Sequence, residues 1–171
     1  MSKTVTSLGD AITDLVLETF RLNGRLLASG DVLVADLGLT SARWQVLGAI
    51  ALSPVPLSVA QIARNMGLTR QAVQRLVNEM EADELVQFAP NPHHQRAKLV
   101  VLSAAGKSAF AAAMKRQTAW ATELGTGFTA RKIAAAVVTL RSIRQRLDTA
   151  THIESKPPNK ERGHAQSASA R

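Results

Sequence analysis

Residues 57–86, LSVAQIARNMGLTRQAVQRLVNEMEADELV, constrain the fold of this chain more tightly than any other stretch. Two short amphipathic segments flank a Gly-Leu-Thr connection, and each carries the chemistry of a helix boundary. Ser58 caps the first, and Gln61 three residues on completes a capping box. Val59, Ile62, Ala63 and Met66 then share one face at helical spacing. Gly67 stands where a helix end favours a left-handed residue, which glycine adopts without Cβ strain. Thr69 caps the second helix, which buries Val73, Leu76, Val77 and Met80 and turns Arg70, Gln71, Gln74, Arg75 and Asn78 outward. Arginine reads guanine with two hydrogen bonds, and Gln or Asn reads adenine. A polar reading helix behind a capped helix and a glycine turn is the layout of a helix-turn-helix, so DNA binding is the leading expectation. A solvated face in a helical bundle would account for the polar side chains, but not for their coincidence with the caps and the turn.

The residues that follow extend this reading. LVQFA at 85–89, ended by Pro90, and KLVVL at 98–102 are short β-prone runs, and NPHHQRA lies between them. Two strands with a basic loop, placed directly after a recognition helix, form a β-wing whose Arg96 is placed to enter the minor groove. The candidate DNA contacts are therefore Ser58, Thr69, Arg70, Gln71, Gln74, Arg75, Arg96 and Lys98.

From residue 39 to about 110 the chain resembles the MarR family of winged-helix transcription factors. The matching segments are LTSARWQVL at 39–47, the helix-turn-helix, EMEADELV at 79–86, NPHHQRAKLVVLS at 91–103 and AAGKSAF at 104–110. The resemblance implies a homodimer built from the first and last helices. It also implies a palindromic operator in double-stranded DNA, often released when a small-molecule effector binds. The family's wing usually places an Asp two residues before its Arg, and here that position is His94 ahead of Arg96. Protonation of His93 and His94 is then expected to strengthen DNA binding as the pH falls, the alternative being that both point into solvent too far from the DNA to matter. An effector pocket is implied where the first, second and fifth helices meet, with Phe20, Asn23, Arg43, Trp44 and Phe110 nearby. Side chains such as Phe20 and Trp44 are more often packed in a core than in contact with a ligand. An amphipathic aromatic or acidic effector would fit such a pocket.

Composition narrows the function class. Net charge is +8, which favours an anionic partner. Between residues 57 and 95 Arg64, Arg70 and Arg75 are outnumbered by Glu79, Glu81, Asp83 and Glu84, so the excess lies in the wing and the C-terminal helices. Lys98 and Lys107 are the phosphate contacts expected there, with solvated helix faces as the plain alternative. The absence of cysteine excludes disulfides and thiol-based sensing. No apolar run approaches about 18 residues and no leader pattern opens the chain, so a cytoplasmic protein with no membrane partner is expected. His93, His94, His152 and His164 are not grouped at ligand spacing, and no serine has a plausible His partner with an orienting acid. No catalytic residues, metal site or cofactor are expected, and the protein is read as a non-enzyme.

The fold expected is mainly α with a small β-wing, a winged helix-turn-helix joined to a helical dimerisation region. A dimerisation helix occupies 1–36, helical over 5–29 and interrupted at Gly30, with Leu8, Ile12, Leu15, Val16, Leu22 and Leu26 as its stripe. The DNA-binding domain spans 37–102 and opens with a helix from Thr40 or Ser41 to about Leu52. Dimerisation helices fill 103–150, one closed by Gly125 and Gly127, the last with Ile133, Val137, Leu140, Ile143 and Leu147 near heptad spacing. Residues 151–171 form a polar tail, expected to be disordered. The function expected is a sequence-specific transcriptional repressor released by an effector. The alternative is a winged-helix module for protein contacts or sequence-indifferent DNA architecture.

Overall fold

The computed structural model describes residues 7–92 and 96–154. Ser7 caps the first helix, α1 (Leu8–Val34), by accepting from the Asp10 amide at 3.1 Å. A single 3-10 turn over Ala35–Leu37 leads to the left-handed Gly38, and Thr40 caps α2 (Ser41–Ala51). Next come β1 (Leu57–Ser58), α3 (Val59–Met66) and α4 (Arg70–Ala82), then the strands β2 (Val86–Ala89) and β3 (Leu99–Leu102). The last two helices are α5 (Ala104–Leu124) and α6 (Ala130–Glu154). The chain divides into two compact units, one ending at Glu123 and one beginning at Leu124, the second holding α6. No helix among the described residues is long and apolar enough to cross a membrane.

The core of the first unit is aliphatic. Val46 and Leu47 of α2, Ile62 of α3, Val73, Val77 and Met80 of α4, and Val86 and Val100 of the sheet are almost fully enclosed. The apolar positions expected on α3 and α4 face this cluster, with Met66 and Leu76 at its half-buried rim. The sheet is antiparallel in the order β1-β3-β2. Val100 at its centre is paired with Leu57 on one side and Phe88 on the other. The β2–β3 hairpin is the expected wing. β1 was not expected, because two residues are too few to leave a period-2 pattern.

Gly30 does not interrupt α1, contrary to expectation, and the helix continues to Val34. The glycine marks a close crossing instead. A Cβ there would overlap Ser41 Oγ, which donates to the Leu27 carbonyl at 2.8 Å, while the Ser41 amide donates to the Asp31 carboxylate at 2.6 Å. The expected start of this helix at Val5 lies outside the described residues. At the other end α6 runs to Glu154, so it passes the position where the tail was expected to begin, and residues 155–171 lie outside the described residues.

Two further ties hold the first unit. Arg116 of α5 grips the Asp36 carboxylate through both terminal nitrogens, Nη2 at 2.7 Å from Oδ2, and donates to the Leu33 carbonyl at 3.0 Å. That hydrogen bond holds the Asp36 carboxyl below the usual carboxylate range. A depressed folded-state value means the contribution is complete above the unfolded value near 3.8 and is lost as the pH falls through the folded one. Asp36→Asn should therefore flatten the acid limb of stability below about pH 4 while leaving neutral-pH behaviour nearly parallel. Denaturant midpoints across that range would show it.

The second tie lies at Gly106, where a Cβ would overlap the Leu85 backbone carbonyl. Gly106→Ala should cost about 1–3 kcal/mol of overpacking, outweighing the gain of about 1 kcal/mol in helix propensity. Gly48→Ala in α2, whose Cβ would rest 3.5 Å from the Phe110 ring, should be neutral or stabilising. Equal midpoint shifts for the two variants would contradict the crowding argument.

Candidate nucleic-acid interface

The helix-turn-helix is fixed by its ends. Gln61 Oε1 accepts from both the amide and the hydroxyl of Ser58 at 2.8 Å, and this reciprocal cap orients α3. The amides of Gly67 and Leu68 close the C-terminus of α3 on the Arg64 and Ala63 carbonyls, with Gly67 at φ +66°. Thr69 Oγ1 then accepts from the Ala72 amide and starts α4. Because both caps are local, the angle between α3 and α4 follows from residues that lie close together in sequence.

A groove of about 1020 Å³ opens between α3, α4 and the wing. Ser58, Arg70, Gln74, Arg96 and Lys98 from the expected contact set line it, joined by Gln61, Arg64 and Asn91, which that set lacked. Arg64 had a signal, being a cation in the last turn of α3. Asn91 had none, because its part is structural: its Nδ2 donates to the Ala97 carbonyl at 2.8 Å across the base of the wing loop. Ser58 is buried and its hydroxyl is engaged by Gln61. Thr69, Gln71 and Arg75 are exposed but do not line the groove. At about 100° per residue, Arg70 and Gln74 form the stripe of α4 next to the wing, and Gln71, Arg75 and Asn78 form the next stripe round.

Several of these side chains are held in place. Gln74 Nε2 donates to Asn78 Oδ1 at 2.8 Å, leaving its own oxygen as an open acceptor. Arg75 Nε lies 3.7 Å from Glu79 in an exposed pair that a nearby phosphate or base would replace at little cost. Lys98 Nζ sits 5.7 Å from the centre of the Phe88 ring, a cation–π contact that steadies it beside the groove. Lys107 lies elsewhere, in a small depression with Pro54, Pro56 and Val101. Residues His93, His94 and Gln95 lie outside the described residues, and with them the expected His94–Arg96 relation.

Charge is sorted in space where the linear count hid it. Asp83 at the end of α4 pairs with Arg43 of α2 at 2.7 Å, and Glu79 faces Arg75. Among the described residues the groove keeps Arg64, Arg70, Arg96 and Lys98 against Glu81 alone. Among the described residues no group of three or more His, Asp or Glu side chains is placed to hold a metal ion.

A second cleft of about 470 Å³ lies between α1, α2 and α5. Asn23, Trp44 and Phe110 line it, as do Gln45, Gln117 and Trp120. Phe20 and Arg43 do not. Phe20 is exposed on α1, and Arg43 is turned to Asp83.

Residues 37–97 match the profile of the MarR family. A Mycobacterium tuberculosis protein of uncharacterised function is 39% identical over 109 residues, spanning 64% of this chain and 75% of that protein. Among solved structures, CouR from Rhodococcus jostii RHA1 bound to p-coumaroyl-CoA is similar in fold, with a TM-score of 0.67 and 24% identity over 81% of this chain and 95% of that one. So is the M. tuberculosis transcriptional regulator MosR in complex with DNA, with a TM-score of 0.64 and 21% identity over 77% and 96%. With the capped helix-turn-helix, the three-stranded sheet and the cationic groove, the profile match places residues 37–97 in the MarR family of DNA-binding transcription regulators, and the solved structures share its winged-helix fold across most of the chain.

Proposed function

We propose that the protein is a cytoplasmic, homodimeric repressor that reads a palindromic operator and is released from it by a small molecule. The observation that carries the operator reading is the cationic groove, in which Arg70 and Gln74 of the reading helix stand beside Arg96 and Lys98 of the wing. Base-reading and phosphate-binding groups then act together, the first supplying discrimination and the second affinity. A protein-contact helix would present aromatic or aliphatic anchors, whereas Arg70, Gln71 and Arg75 are exposed and polar.

The dimer is supported by apolar surface that a single chain leaves in water. Leu8, Ile12, Val16, Leu22 and Leu26 of α1 are exposed, as are Ile133, Val137, Leu140 and Leu147 of α6. Two such stripes, one on each terminal helix, suit an interface with a second copy around the DNA-binding domain of residues 37–102. Two-fold symmetry would then place the half-sites about 10 base pairs apart, one turn of the duplex. Release by an effector is supported by the cleft lined by Asn23, Trp44 and Phe110, which lies against α2 within the same unit as the reading helix. The CouR structure holds p-coumaroyl-CoA and the MosR structure holds DNA, so relatives of this fold take both kinds of partner.

Selection of bound sequences from random DNA with the purified protein tests the class directly. A palindromic motif is expected, and no enrichment would favour the architectural alternative. Within that motif Arg75→Ala should cost about 1–3 kcal/mol on the operator and relax preference at one position per half-site. Lys98→Ala should weaken all sequences alike and lower the salt dependence. Uniform losses from Arg75→Ala on specific and non-specific DNA would remove its reading role. Leu140→Glu should convert a sedimenting dimer to monomer and abolish operator binding in the same step, and a monomeric wild type would overturn the dimer.

A further inference from the structure

We infer that the cleft between α1, α2 and α5 selects an uncharged aromatic molecule bearing amide- or hydroxyl-type hydrogen-bonding groups, and discriminates against carboxylates. The inference rests on the reading of this cleft as the ligand site. Its lining joins three aromatic side chains, Trp44, Phe110 and Trp120, to three carboxamides, Asn23, Gln45 and Gln117, and the remaining positions are aliphatic, small or Ser41. Among the described residues none that lines the cleft carries a charge. None of the three carboxamides has a hydrogen-bond partner among the described residues, so each keeps a donor and an acceptor for a ligand. A space of about 470 Å³ falls in the range of small-molecule sites.

The charged groups adjoining the cleft in sequence do not line it. Arg43 directly precedes the lining residue Trp44 but pairs with Asp83 at 2.7 Å. Arg116 adjoins Gln117 but is held by Asp36 and the Leu33 carbonyl. Arg25 and Lys115 are exposed and belong to neither lining face. The Asp31 carboxylate, beside Gly30 in sequence, accepts from the amide of the lining residue Ser41 at 2.6 Å, and its negative charge opposes an anion further. An anion entering would shed water without gaining a cation, which is unfavourable, whereas an uncharged ring would exchange water for aromatic faces and carboxamides. This departs from the acidic ligand that the sequence left open.

The cleft also contains its own reporter. The chain has two tryptophans and no tyrosine, and both tryptophans line the cleft. Titration of the full-length protein with 2-naphthamide and with its isostere 2-naphthoate, followed by tryptophan quenching, compares the two charge states at fixed shape. The amide should bind about tenfold or more tightly than the carboxylate. Gln117→Arg should reverse the order by supplying the missing cation, with Gln117→Lys as the second variant should the first fail to fold. Equal or tighter binding of 2-naphthoate to the wild type, or no quenching by either compound, would overturn the inference. If the amide binds yet leaves the operator complex intact, charge selection stands and the effector-release reading fails.

Discussion

The wing stands beside the reading helix because of one compact junction at Ser103. The α4 helix ends in a left-handed residue, Glu84 at φ +57°, and the amides of Glu84 and Leu85 close back on the Glu81 and Met80 carbonyls. Ser103 Oγ donates to the Glu84 carbonyl at 2.5 Å and accepts from the Gly106 amide at 2.9 Å, and the Ser103 amide donates to the Leu85 carbonyl at 3.2 Å. One side chain thus ties the end of α4, the exit of β3 and the first turn of α5. Gly106 lets α5 approach the Leu85 carbonyl closely enough for this to happen. A glutamate held in a conformation that favours glycine shows that the surrounding hydrogen bonds, not local preference, set the turn.

That junction makes the groove a property of the core. Val86 and Val100 anchor the two strands of the wing beneath Val73, Val77 and Met80 of α4, so hairpin and helix share one apolar cluster. The cations above it gain from the same arrangement. Acidic side chains near the far end of α4 are engaged by Arg43 and Arg75, which leaves Arg64, Arg70, Arg96 and Lys98 as the dominant charges facing the groove. Converging like charges raise the local potential toward a polyanion more than the overall net charge does.

The α2 helix connects this reading head with the second cleft. Trp44 and Gly48 face the cleft, Val46 and Leu47 are buried in the core, and Arg43 reaches the capping residue at the end of α4. Movement of α2 in response to an occupant would be felt by the core and by Asp83 together, since a close-packed interior transmits displacement. The Arg116–Asp36 pair bounds the same region by joining α5 to the turn that follows α1.

The amino-acid sequence determined the elements whose signals are local. The Ser58–Gln61 box, left-handed Gly67 and Thr69 cap are set within a few residues, and so the helix-turn-helix was legible with its buried and polar faces. The β2 and β3 strands were legible for a similar reason, through β-branched runs broken by Pro90 and the Asn91–Pro92 turn. The tertiary structure alone decided what depends on distant partners. Gly30 lies within a continuous helix, at a crossing where Ser41 occupies the space a side chain would need. β1 exists because Leu57 and Ser58 find Val100 and Leu99 across the sheet. Arg43 leaves the cleft for Asp83, forty residues on, and Phe20 stays in solvent because of its position on α1, so two of five expected lining residues are absent. Helical spacing fixes which side chains share a face, but the partner that a face meets is a long-range contact that no local pattern records.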